Sequence, residues 1–179
     1  RPISSSVDQA SSSPCSAASA TIATVIWKGS LAASRSIDGS LEAAGLDYYD
    51  LIIIHAPQPW RQFRNGAHFF EGNLEVWRAL EEARKAGKAR SIGVSNFEEV
   101  DLQNILDNGT VRPVINQVLA HVGNTPFDLI EFSNKNDILI EAYSPVAHGS
   151  LVGNADIAAI AQRYGVSVRG MDSIIRLAC

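Results

Sequence analysis

The sequence predicts an α/β fold in which a parallel sheet is covered by helices. The first observation is the run Leu51-Ile52-Ile53-Ile54, unbroken, apolar and mostly β-branched. A strand apolar on both faces belongs inside a covered parallel sheet, because a half-solvated antiparallel strand alternates apolar and polar positions. The second is the order of elements. Strand-like runs alternate strictly with helix-like ones, and that alternation gives a parallel sheet with right-handed crossovers. The third is an absence: no GxGxxG follows any strand-like run. The dinucleotide fingerprint of the open, doubly wound sheet is missing, which favours a barrel or part of one.

Residues 1–20, RPISSSVDQASSSPCSAASA, hold few large apolar side chains and read as a Ser-rich tail or divergent N-terminal segment. From Thr21, TIATVIW reads as a short strand closing at Trp27, with Lys28-Gly29-Ser30 as its turn. Leu31, Ile37 and Leu41 fall at helical spacing, and Gly45 is placed to end that helix. The apolar run then stops at His55, because Pro57 cannot continue a central ladder. Residues 56–72 form an unusually long connection. It carries Trp60, Phe63, Phe69 and Phe70, which disorder disfavours, so a lid or pocket wall is expected.

Asn73 is placed to cap a helix through Val76, Trp77 and Leu80 that ends near Gly87. A strand over roughly 90–94 follows, broken at Ser95-Asn96, and then a helix from about Glu98 to Leu106. Asn96 could cap that helix as well as serve a site. PVINQVLAH from Pro113 reads as a strand, and Thr125-Pro126 opens the next helix. DILIEAYSP, 137–145, is a further strand. Asn154 caps a helix stopped by Gly165, and a last partial helix begins near Ser167. Trp77 and Leu80 read as core, and His121 and His148 as rim or loop residues rather than ligands.

At 179 residues the chain suffices for one domain with a sizeable core. A net charge of −4 and no basic stripe argue against a nucleic-acid partner, and the longest apolar runs are too short to span a bilayer. Cys15 and Cys179 form no metal or disulfide spacing, and the start has no apolar signal core; both point to the cytoplasm. The chain also begins without Met, so it is expected to be processed or incomplete.

Active sites of parallel barrels are built at the carboxyl ends of strands. There this sequence places His55, Ser95, Asn96, Gln117, Tyr143 and Ser144. The set holds no carboxylate pair for glycosidase chemistry, no clustered metal ligands and no GxSxG elbow. One hydroxyl and two side-chain amides supply donors and acceptors for a carboxamide, and an aromatic face suits a flat ring. That pattern describes a nicotinamide, whose hydride chemistry resides in the cofactor.

Four stretches sharpen this: LDYYDLIIIHAP at 46–57, GKARSIGVSNF at 87–97, VINQ at 114–117 and EAYSPVAHG at 141–149. In that order and spacing they resemble the aldo-keto reductase family, across residues 21–168. The aromatic loop and PVAHG are similar to its diketogluconate-reductase-like group. The resemblance implies a (β/α)8 TIM barrel, of which this chain holds about strands 3 to 7. It implies NADPH as cofactor, with NADH the alternative, and reduction of a small-molecule aldehyde or ketone to an alcohol. His55 would polarise the carbonyl, Ser95, Asn96 and Gln117 would hold the carboxamide, Tyr143 would stack on the ring, and Ser144 would contact the phosphates. Trp60 and Phe63 would line the substrate pocket.

The resemblance also implies a proton-donor Tyr whose acidity depends on a Lys paired with an Asp. The Lys position falls on Val25, and an apolar side chain cannot make a phenol acidic. The Asp and Tyr belong upstream, where the Ser-rich segment stands. Tyr48 and Tyr49 precede a strand and lie at the opposite, stability face. The eighth strand belongs after residue 179, and RGMDSIIRLAC departs from the helix expected there. An incomplete record of a longer protein, monomeric at full length, is therefore the expectation, ahead of a remnant that binds cofactor or scaffolds without catalysis. A metal-dependent barrel hydrolase is the third and weakest reading.

Overall fold

Five parallel strands lie side by side in chain order, each joined to the next by a helix. The structure, a computed structural model, describes residues 22–25 and 30–168. The strands are β1 (Ile22–Val25), β2 (Tyr49–Ile54), β3 (Ala89–Ser95), β4 (Ile115–Leu119) and β5 (Leu139–Tyr143). The helices are α1 (Ser30–Ala44), α2 (Phe70–Lys85), α3 (Glu99–Asn108), α4 (Phe127–Lys135) and α5 (Ala155–Arg163). The order, in which every sheet neighbour is also the next strand in sequence, is that of a β/α barrel, of which these residues form a contiguous part.

The two-sided burial expected of β2 is present. Ile52 and Ile54 join the core between sheet and helices, together with Trp77, Leu80, Ile92, Val94 and Leu102. Ile53 is equally buried but on the opposite face, where Gly93 of β3 is its register partner. A Cβ at Gly93 would sit 2.5 Å from Ile115 Cγ2 and 3.3 Å from Ile53 Cγ2. Glycine there lets three strands close up. On the helix side, Trp77 is wholly buried and its Nε1 donates to the carbonyl of Val111 at 3.0 Å. The indole thus fills the gap under α2 and fixes the turn leading into β4.

Helix ends follow their local chemistry, with two corrections. Gly45 and Gly87 adopt φ of 63° and 78°, the left-handed conformation that ends a helix. Asn154 caps α5, its Oδ1 accepting from the amides of Asp156 and Ile157. Asn73, however, is not a cap: α2 begins three residues earlier and Asn73 is completely buried in its first turns. Asn73 lies on the α2 face that buries Val76, Trp77 and Leu80, and that packing overrides the capping preference. Nor does Asn96 cap α3. That role belongs to Glu98, which accepts from the Asp101 amide while the Asp101 carboxylate accepts from the Glu98 amide.

Strand bounds differ modestly. Tyr49 is the first residue of β2 rather than preceding it, β3 includes Ser95, and β4 and β5 are shorter than the runs around them. The tail over 1–20, the continuation of β1 to Trp27, the Lys28-Gly29 turn and the segment from 169 lie outside the described residues. Among the described residues no helix is long and apolar enough to cross a membrane.

Candidate active site

The carboxyl ends of β2 to β5 bring five of the expected residues into one hydrogen-bonded chain. Asn96, immediately after β3, is its hub. Its Nδ2 donates to the backbone oxygen of His55 at 3.0 Å and to Ser95 Oγ at 3.0 Å. Its Oδ1 accepts from the Tyr143 hydroxyl at 2.7 Å. Ser95 Oγ in turn donates to the backbone oxygen of Gln117 at 2.8 Å, and the Asn96 amide N–H donates to the same oxygen at 2.9 Å. Residues from four strands therefore meet at one level.

The register explains why. Ser95 pairs with Gln117, Gln117 with Glu141, and Leu119 with Tyr143. Successive side chains alternate across a strand, so Gln117 and Leu119 share a face, as do Glu141 and Tyr143. Behind that face, Asn116 points into the helix-side core. Its Nδ2 donates to the Phe97 carbonyl at 2.9 Å and its Oδ1 accepts from the Phe97 amide. This clamp sets the chain direction just after Asn96, whose φ of 60° is unusual for a residue with a side chain. Ser144 is also left-handed, at φ 51°. Strain of this kind persists where surrounding structure over-determines it, which is common at working sites.

His55 is half-buried at the end of β2, and the Trp60 ring meets it edge-on with centroids 5.1 Å apart. Phe63 lies 4.9 Å beyond Trp60. Both expected pocket residues therefore line up outward from the imidazole. They are held by a connection with its own internal bonding. The buried Gln58 side chain donates to the carbonyl of Ala67 and accepts from the Arg64 amide at 2.8 Å. Farther along, His68 Nδ1 lies 3.1 Å from the buried Asp101 carboxylate, and its ring stacks on Phe70. The long loop is an ordered wall.

Ser144 and the two loop histidines stand apart from the network. Ser144 follows Tyr143 but its side chain forms no hydrogen bond to the other rim residues; its backbone oxygen accepts from the Ala147 amide. His121 is tied to its own turn, with Nδ1 2.9 Å from the Val122 carbonyl. His148 is exposed in a short 3-10 turn, Ala147–Gly149. The residue that sequence reasoning missed is Glu141, whose Oε2 accepts from Gln117 Nε2 at 2.8 Å. Its signal was present, since two residues before Tyr143 on a strand means the same face. Among the described residues no three potential ligands cluster to hold a metal. An open cleft of about 660 Å3 lies elsewhere, between the starts of α3 and α4, and none of the rim residues lines it.

The free hydrogen-bonding capacity of the rim is specific. Both Nδ2 hydrogens of Asn96 and the Ser95 hydroxyl hydrogen are spent within the network. What remains is the oxygen end of Gln117, one of its amide hydrogens, and lone pairs on Ser95 and Asn96. A primary amide with two N–H donors complements that inventory, and the half-buried Tyr143 ring lies beside it. The fold is that of a β/α barrel, and the candidate site sits on the carboxyl face of its sheet.

Comparison with known proteins agrees. The sequence model of the Aldo/keto reductase family matches residues 29–165. An uncharacterized oxidoreductase of Bacillus subtilis is 36% identical over 151 residues, covering 82% of this chain and 50% of that protein. A 2,5-diketo-D-gluconic acid reductase B of a Corynebacterium species is 38% identical over 144 residues, 78% of this chain and 47% of that one. The crystal structure of a Bombyx mori aldo-keto reductase in complex with NADP superposes with a TM-score of 0.68 at 29% identity, over 83% of this chain and 52% of that chain. The chain belongs to the aldo/keto reductase family. It spans about half the length of the relatives it matches.

Proposed function

We propose that the protein reduces an aldehyde or ketone to an alcohol with NADPH. The observation that supports this most is the single network joining His55, Ser95, Asn96, Gln117 and Tyr143 at the carboxyl rim. When bound, the nicotinamide would supply the hydride, and the proton that completes the alcohol would come from the tyrosine that the family resemblance implies, which is not among the rim residues. The chain's own contribution is positional. Gln117 and the lone pairs of Ser95 and Asn96 receive the carboxamide, and Tyr143 backs the ring. His55 directs a ring nitrogen to the carbonyl oxygen, polarising it as negative charge develops there. Trp60 and Phe63 exclude water beside it and select for substrates with an apolar flank. Preference for NADPH over NADH and a cytoplasmic location belong to the same reading.

A second reading, cofactor binding without turnover, is favoured by one observation. Val25 ends β1 in register with Ile54, next to the His55 end of β2, where the family resemblance places a Lys. Titration separates the two. Trp60 touches His55 and reports on the rim, whereas Trp77 is sealed in the core. NADPH should quench the intrinsic fluorescence, and Trp60→Phe should remove most of that quench. A flat titration overturns both readings. If quenching occurs, steady oxidation of NADPH with a small aldehyde supports the reductase, and none leaves cofactor binding alone.

A further inference from the structure

Glu141 stands on the inner face of β5, half-buried, with its carboxylate on the side-chain amide of Gln117. An amide is nearly symmetric in shape, so its two ends exchange by a simple flip unless the surroundings distinguish them. The surroundings here do. A carboxylate offers acceptors only, so Glu141 can hold the nitrogen end and not the oxygen end. The Gln117 oxygen is thereby turned away from β5 and has no donor among the described residues. Asn96 is oriented equally firmly, between the His55 carbonyl, Ser95 and the Tyr143 hydroxyl. Gln117 differs in that one side chain alone decides which end it presents.

We infer that Glu141 is the positioning residue that fixes Gln117 with its oxygen outward, and so makes the rim select a ring bearing an amide N–H donor. This rests on the proposed function, because the ring it serves is the nicotinamide. Glu141 acts through Gln117 rather than on the ring itself. It acts by removing the flipped state of Gln117 and by strengthening the remaining acceptor through the charge-assisted bond at its other end.

The test compares two reduced cofactors on the full chain: NADPH, and its 3-acetylpyridine analogue, in which a methyl replaces the amide nitrogen. Glu141→Met removes the acceptor at similar length. Glu141→Gln keeps the shape of the strand but offers both a donor and an acceptor, so Gln117 can sit either way round. With binding read by fluorescence, Glu141→Met should weaken NADPH about fivefold to tenfold, the worth of one oriented hydrogen bond. Glu141→Gln should weaken it about twofold, since only half the population presents oxygen. The analogue should bind all three proteins alike. Equal weakening of both cofactors shows a merely structural role for Glu141 and overturns the inference. So does unchanged NADPH binding in both variants. Should Glu141→Met fail to fold, Glu141→Gln carries the comparison. Failure of the unaltered chain to bind NADPH sinks the proposed function itself, and this inference with it.

Discussion

Strands β2 and β5 both supply the rim, yet they are held in opposite ways. In β2, Ile52, Ile53 and Ile54 are all buried, the first and last under the helices and the middle one on the inner face. In β5 not one of the five residues is buried, and Leu139 is 70% exposed. What holds the β5 end of the site is polar: Glu141 on Gln117, and Tyr143 on Asn96. Apolar packing is non-directional and sums over area, whereas a hydrogen bond contributes little net stability but fixes orientation. The β2–β3 side therefore carries the stability of the rim and the β5 side carries its geometry. Substitutions should divide accordingly.

The division breaks most plainly at Trp77. It is wholly buried under α2 and also bonds the Val111 carbonyl. Trp77→Ala should cost about 3–5 kcal/mol, from the cavity and the orphaned carbonyl together. Denaturant unfolding should show a lower midpoint at unchanged slope. A loss near 1 kcal/mol would mean that the packed side is not what holds the fold. Asn116→Ala comes next. It leaves the buried Phe97 amide and carbonyl without their partner, for about 2–3 kcal/mol. Unlike Trp77→Ala it should also weaken NADPH binding at temperatures where the protein is fully folded, because the clamp sets the turn at Asn96. Gly93→Ala forces a Cβ to within 2.8 Å of the Ile115 backbone oxygen and should cost about 1–3 kcal/mol by overpacking.

The same division explains what the sequence disclosed. The block around β2 was legible because an apolar run states its own burial; Leu51 to Ile54 could belong nowhere but a covered sheet. The convergence of the rim residues was legible because each stands in or just after such a run, so strand ends grouped them without knowledge of side-chain contacts. Glu141 escaped because attention to strand ends passes over a residue inside a strand. Its face is set by a two-residue period that the short run LIEAY barely establishes. Asn73 misled for the converse reason. Its intrinsic capping preference is worth about 1 kcal/mol, less than burying the α2 face that Asn73 shares with Val76, Trp77 and Leu80. The Glu98–Asp101 cap was hidden because it is not the usual Ser or Thr with Glu. Local preference located elements, and tertiary packing decided their ends.

The smallest effect on stability should come from the β5 end, at Tyr143. Its hydroxyl donates to Asn96 Oδ1 at 2.7 Å in a half-buried setting, so Tyr143→Phe removes one neutral hydrogen bond and keeps the ring. The cost should be about 0.5–1.5 kcal/mol, the ordinary net worth of such a bond. Binding should respond differently from stability. Asn96 Nδ2 stays tied to the His55 carbonyl and Ser95 Oγ, so the hub does not collapse. Its Oδ1 instead gains a lone pair free for an incoming N–H donor. Tyr143→Phe should thus leave NADPH affinity within about threefold of the unaltered chain, in either direction, while Tyr143→Ala, which also removes the stacking face, should weaken it about tenfold. If Tyr143→Phe instead lowered affinity as much as Tyr143→Ala, the hydroxyl and not the ring would be what the rim takes from β5. Packing and geometry would then not be divided between the two strands as their burial indicates.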